Sequence, residues 1–232
     1  MLYNIKLLHE KPNMSGTRRY RLLCPIARAL DRVGDRWTLI ILRDLHAGPA
    51  RFSELQTLPG IASNLLTDRL RQLETDGLIR RSLVEYGTSV YGLTELGART
   101  GDLLFELAAF GAHFPPDDPV KRPANLRTIA VTLQVACQRV VDDTMSLQAE
   151  LIVDGEAFSF SVVAGTVDIK AGKAVEPEAV MVTSYEPMVA VADGRMAMES
   201  FIATHLEMSG PDLEQAQALA GLIGRAITTQ LT

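Results

Sequence analysis

Glycine and proline cut residues 24–93 into a series of short helical patterns followed by two strand patterns, and few folds have that order. The series opens at Cys24-Pro25, where proline suits a first helical turn because its missing N–H has no partner there and its φ is already helical. Ile26, Ala29, Leu30 and Val33 recur at helical spacing, and Gly34 ends the run. Asp35 is expected to cap a second helix whose Trp37, Ile40, Ile41 and Leu45 share one face, and Gly48-Pro49 stops it. In RFSELQTL, Ser53 and Gln56 have the spacing of a capping box, and Pro59-Gly60 makes the next turn. Ser63 is expected to cap a helix over 63–76, with Leu66, Leu70 and Leu73 on one stripe and Gly77 closing it. Runs 78–84 and 89–93 then read as strands joined by a turn at 85–88. Short helices followed by a hairpin give a winged helix-turn-helix.

With those leucines inward, Asn64, Thr67, Asp68 and Arg71 project from the opposite face of the 63–76 helix, with Ser63 at its start and Arg69 at the edge. Short polar and basic groups near a helix N-terminus are what entry into a major groove requires. Arg80 and Arg81 lie on the hairpin that would flank the groove, and Tyr86, Ser89 and Tyr91 lie at its tip and return strand. Arginines there would neutralise phosphates while the helix reads base edges. Asp68 is repelled by phosphate unless it accepts from cytosine or pairs with a neighbouring arginine. A charged helix face taken alone is usually only a solvated face; the succession of cap, helix, turn and wing favours the DNA reading.

Residues 18–114 resemble the HxlR family of bacterial transcriptional regulators, relatives of the MarR group. The resemblance is carried by CPIARAL, GDRWTLIILRDL, RFSELQ, the Pro59-Gly60 turn before Ile61, LLTDRLRQLETDGLIRR and YGLTELG. It implies double-stranded DNA as a partner, and a homodimer whose interface joins the first helix to the helix after the wing. That later helix is expected over 94–114, with Leu96, Leu103, Leu104, Leu107 and Phe110 apolar. Its apolar side needs a partner, either a second copy or the C-terminal half of the same chain. Several members of the family sense electrophiles or oxidants through a cysteine at the position of Cys24. A thiol ahead of a helix N-terminus also feels the positive end of the dipole, which favours thiolate. The plainer reading is a small buried residue at an interface. Cys137, in an apolar helical run, reads as core.

The chain carries a formal charge of −5, which is unexpected for a DNA reader until it is divided. Residues 1–122 hold 17 basic and 14 acidic side chains, whereas 123–232 hold 6 and 14, so the halves carry +3 and −8. The acidic half cannot be the DNA face. Its 232 residues are enough for two compact domains: a lead-in 1–17, a winged-helix domain 18–114, a proline-rich linker 115–124, and a second domain 125–232. Two cysteines and no export signal suggest a reducing cytoplasm, and the apolar MLYNIKLL start is too short to span a bilayer, so no membrane partner is expected. Met14 is an alternative start.

The second half reads as a helix over 126–141, strands at 145–153, 157–163, 166–170 and 179–183, short helices at 186–193 and 196–203, a strand at 205–208 and a closing helix at 212–228. Asp154-Gly155 is a strong hairpin signal. The whole is α+β, with a mixed α/β second domain built on about five strands. This half resembles the sterol-carrier-protein type 2-like fold through the DG hairpin, GTVDIKAGKAVEPEAVMVTS, VADG and HLEMSGPDLEQAQALAGLI. The resemblance implies an apolar tunnel, with Phe158, Phe160, Met181, Met188, Met196, Met198, Phe201 and Met208 as candidate linings. Methionine suits an adaptable pocket, yet each of these residues taken singly reads more readily as core.

Catalysis finds no footing. His9, His46, His113 and His205 lack metal-ligand spacing, and no nucleophile elbow, phosphate loop or C-x-x-C motif is present. No cofactor or metal is expected. The reading is a homodimeric transcriptional regulator acting on an inverted-repeat operator and modulated by a hydrophobic, lipid-like small molecule. Two alternatives stay open: a redox regulator acting through Cys24 with a structural C-terminal domain, and a lipid carrier that uses its winged helix only to dimerise.

Overall fold

The computed structural model describes residues 20–58, 60–84, 87–114 and 125–228. The expected lead-in 1–17, the linker 115–124, Pro59 and the candidate DNA contact Tyr86 lie outside the described residues. The first domain runs α1 (Pro25–Val33), α2 (Arg36–His46), β1 (Ala50–Arg51), α3 (Phe52–Leu55), α4 (Ser63–Thr75), β2 (Ile79–Leu83), β3 (Ser89–Leu93), α5 (Glu95–Ala98) and α6 (Thr100–Gly111). The second runs α7 (Thr128–Gln138), β4 (Leu147–Val153), β5 (Glu156–Val163), β6 (Thr166–Ala171), β7 (Ala179–Thr183), α8 (Tyr185–Ala192), α9 (Met198–His205), β8 (Glu207–Ser209) and α10 (Leu213–Thr228).

In the first domain β1, β3 and β2 form a three-stranded antiparallel sheet beside a helical core. That core contains Ile41, Leu42 and Leu45 of α2 and the stripe Leu66, Leu70 and Leu73 of α4. Asp35 caps α2 by accepting from the Trp37 N–H at 3.0 Å. Gly77, at φ 71°, ends α4: its N–H bonds Glu74 O and the next, that of Leu78, bonds Leu73 O, satisfying the last carbonyls.

Two capping expectations are corrected. Helix α3 begins at Phe52, and its box is closed by Glu54, whose carboxylate accepts from the Arg51 N–H; Ser53 sits inside the helix. Helix α4 is capped at Ala62, so Ser63 is its first helical residue, and the Ser63 hydroxyl meets the Gln56 amide instead. The helix expected over 94–114 is two helices broken at Arg99. The reason is Gly97: a β-carbon there would lie 1.9 Å from Leu78 O, so α5 is pressed on the wing backbone before the chain turns into α6.

The second domain is a five-stranded sheet of order β6-β5-β4-β7-β8, antiparallel except for the parallel pair β4–β7. Alternation puts Leu147, Ala149, Leu151 and Val153 on one face with Phe158, Phe160 and Val162 of β5 and Ala179 and Met181 of β7. That face is buried in a single core with residues of α7 and α10. Helix α7 joins the two domains, packing on α2 and α6 on one side and on β6 and α10 on the other. Gly101 permits the approach, since a β-carbon there would already stand 3.3 Å from His46 Cε1 and 3.4 Å from Val135 Cγ2.

Candidate functional site

The leucine stripe of α4 fixes which side of that helix faces out, and ion pairs fix its ends. Arg32 of α1 meets Asp76 at 2.7 Å, and Arg69 meets Asp35 at 3.2 Å. Arg69, expected at the edge of the reading face, lies beside Asp35 at the N-terminus of α2, with 21% of its side chain exposed. Asn64, Thr67, Asp68 and Arg71 remain exposed on one surface, and Ser63 lies beside them. Asp68 pairs with Arg71 at 3.2 Å, so its charge is matched on the surface itself. An exposed pair of this kind contributes little to stability and can be exchanged for a base or phosphate contact.

On the wing, Arg81 donates to Ser89 Oγ at 2.8 Å across the hairpin and stays exposed. Arg80 alternates with it and lines a groove between the wing and the second domain. Cys24 is exposed at the head of α1, whereas Cys137 is fully buried and its thiol is pushed up to about 12 by desolvation. Sequence reasoning placed Ile26 and Leu30 with the apolar side of the first helix. They are exposed, as are Leu96, Leu103, Leu107 and Phe110, while α1 buries only Ala27 and Val33.

The candidate ligand residues divide. Met181, Met188, Met198 and Phe201 line a slot between the sheet and α8, α9 and α10, and the slot is closed down to about 20 Å³. Phe158 and Phe160 are core residues of β5 outside that lining, and half-buried Met196 and Met208 also lie outside it. The larger space is the groove between the domains, about 600 Å³. No sequence pattern announced it, because its walls come from α2, β2, β3, α5, α6, α7 and β6.

His46 lines that groove from the end of α2, 8% exposed, with Nε2 3.1 Å from the Thr100 hydroxyl. Thr100 donates to Gly97 O, so the imidazole supplies the proton of the shared bond. Burial, and secondarily the charge of Lys170, lowers its pKa from 6.5 to about 4. The unfolded chain therefore protonates first as pH falls. The contribution of neutral His46 is complete above about pH 6.5 and is lost on the way down to pH 4. The loss is about 3 kcal/mol at most. Urea unfolding at pH 7 and pH 4.5 should show a steeper fall for the parent than for His46→Gln; parallel profiles would contradict the buried neutral imidazole.

Among the described residues no group of three histidine, cysteine or acidic side chains is placed to hold a metal, and no helix is long and apolar enough to cross a membrane. A polar helix face presented beside an antiparallel hairpin, on a tri-helical core, defines a winged helix-turn-helix DNA reader. A model of the HxlR-like helix-turn-helix family matches residues 32–118. The HTH-type transcriptional regulator sll1512 of Synechocystis sp. is 37% identical over 95 residues, covering 40% of this chain and 70% of that protein. YdeP of Bacillus subtilis is 34% identical over 94 residues, covering 39% and 73%. Among solved structures, the redox regulator HypR in its oxidised form is 29% identical, covers 40% of this chain and 99% of its own, and superposes with a TM-score of 0.38. Quinone-bound YodB from B. subtilis is 32% identical, with coverage of 40% and 100% and a TM-score of 0.36. The chain belongs to the HxlR-like helix-turn-helix family and is a transcriptional regulator.

Proposed function

We propose that the protein works as a homodimer on an inverted-repeat operator, with each α4 entering one of two successive major grooves about a helical turn apart. A small molecule held by a sterol-carrier-like second domain would shift the spacing of the two reading heads, provided it binds one dimer geometry better than the other. The observation that carries this reading is the pair of exposed surfaces: a polar α4 face, and an apolar face on α1 and α6 that the chain itself leaves uncovered.

Selection from random duplexes followed by fluorescence anisotropy tests it, with an inverted repeat as the expected product. Arg71→Ala should then weaken binding by about 1–3 kcal/mol and relax base preference. Arg81→Ala should weaken all sequences alike and reduce the salt slope by about one. Enrichment of no repeat, or an Arg71→Ala protein with unchanged affinity, would overturn the assignment of α4. As it stands the slot beneath α8 and α9 holds about one water's worth of space, so an apolar ligand there has to part those helices from α10.

A second reading places sensing at Cys24, because the thiol is exposed beside the apolar face of α1. Oxidant-dependent loss of DNA binding that Cys24→Ser escapes would select it.

A further inference from the structure

We propose that the groove between the winged helix and the second domain is an effector site for a small amphipathic monoanion, a carboxylate on an apolar body. This names the site and ligand class for the ligand-modulated reading above, and it moves the effector out of the closed slot. At about 600 Å³ the groove falls in the range of sites that enclose small ligands, and it lies at a domain junction, where such sites concentrate. Its floor is apolar: Leu45 and Leu93 come from the reader, and Val131 and Val135 from α7.

The charged groups lining it are Arg80, Glu95, Asp102, Arg139 and Lys170, with His46 held neutral by its burial. Asp102 is already met by Arg139, which also reaches Glu106 at 2.8 Å. Glu95 is exposed in the single turn of α5, where solvent screens its charge. The two remaining cations come from different domains. Arg80 is on the wing and has no ion-pair partner among the described residues; Lys170 is on β6, paired at the surface with Asp168 at 2.7 Å. An anion in the groove can take charge-assisted contacts from both cations, exchanging the exposed Asp168 pair for its own carboxylate, while its apolar body covers the floor. Gly92, opposite Arg80 in the hairpin, leaves that wall without a side chain. A ligand seated there touches both wing strands and α7, so it ties the attitude of the wing to the second domain.

The test is direct binding to the full chain, without DNA, by saturation-transfer NMR and calorimetry. The probes are octanoate and 3-phenylpropionate, with octan-1-ol and octylamine as neutral and cationic controls. We expect at least one carboxylate to bind and the amine not to bind. Arg80→Gln and Lys170→Gln should each weaken carboxylate binding about tenfold. Ala98→Trp, which fills the groove from the exposed side of α5, should abolish it, with circular dichroism showing an intact fold. If neither carboxylate binds, or if octanol binds as well as octanoate, the proposal is overturned. It is equally overturned if Ala98→Trp leaves binding unchanged while Met198→Trp removes it, which would return the ligand to the slot. None of these outcomes depends on operator binding, so failure here leaves the DNA reading standing, and failure to select an operator leaves this site untouched.

Discussion

Replacing Phe110 with aspartate is expected to convert the proposed dimer into folded monomers at micromolar concentration. Phe110 is 65% exposed in a single copy, and its ring meets that of Phe114 edge to face with centroids 5.1 Å apart. With Leu103 and Leu107 these rings form one stripe on α6 and its C-terminal extension, while Gly101, Leu104 and Phe105 fill the opposite side and pack into the core. Helix α1 likewise leaves Ile26, 71% exposed, and Leu30 uncovered. Apolar stripes of this length are uncommon on the open surface of a monomer. Burying a side chain of this size contributes about 2 kcal/mol, and a two-fold interface uses it twice. Losing about 4 kcal/mol raises the dimer dissociation constant roughly a thousandfold, before the cost of desolvating two carboxylates is counted. Because Phe110 is exposed in the monomer, the substitution should leave circular dichroism and monomer stability intact. Analytical ultracentrifugation checks the result, and Phe110→Leu should retain the dimer. A Phe110→Asp protein that still sediments as a dimer would move the interface elsewhere.

The parts of this molecule that were legible in its sequence are those fixed by local chemistry. The leucine stripe of α4, the Asp35 cap, the Gly77 terminus and the Asp154-Gly155 hairpin each follow from residues within a turn or two of one another. Where local rules had two outlets, contacts made at a distance decided. Arg69 has the composition of a DNA contact, and Asp35, 34 positions earlier in the chain, stands 3.2 Å from its Nε. The break at Arg99 answers to the carbonyl of Leu78 pressing on Gly97, which no helical periodicity reports. Ile26 and Leu30 have the spacing of core residues, and spacing cannot tell a core in the same chain from a surface meant for another. For the methionines the pattern identified a region rather than a lining: β5 points Phe158 and Phe160 into the general core, while the slot is bounded by α8, α9 and α10. The groove was invisible because its walls belong to seven separate elements.

The largest effect on stability is expected from Arg127→Met, at the junction between the domains. The Arg127 guanidinium donates from Nε to Asp44 O at 2.8 Å and from Nη2 to Gly48 O at 2.7 Å, satisfying carbonyls at the C-terminus of α2. Asn125 adds a bond from its side-chain amide to Asp44 Oδ2 at 2.7 Å, and Arg43 holds the other oxygen of that buried carboxylate at 2.7 Å. Burial lowers the pKa of Arg127, a cost the fold bears in return for these bonds. Methionine keeps much of the volume but takes the guanidinium donor from Gly48 O, leaves Asp44 O to the Ala47 N–H, and removes the cation beside Asp44, for a loss of about 3–5 kcal/mol. Arg127→Lys should fall between, since a single ammonium cannot span both acceptors as the planar fork does. Urea unfolding measures this as a lower midpoint, with the single transition dividing as the domains come apart. A midpoint within about 0.5 kcal/mol of the parent would contradict the clamp. The same geometry connects the second domain to the wing. The gripped end of α2 passes through Gly48 and Pro49 into β1, which pairs with wing strand β3 at Ala50–Tyr91 and Arg51–Val90. Under the ligand-modulated reading proposed above, Arg127→Met should uncouple operator affinity from the effector while leaving the polar face of α4 unchanged.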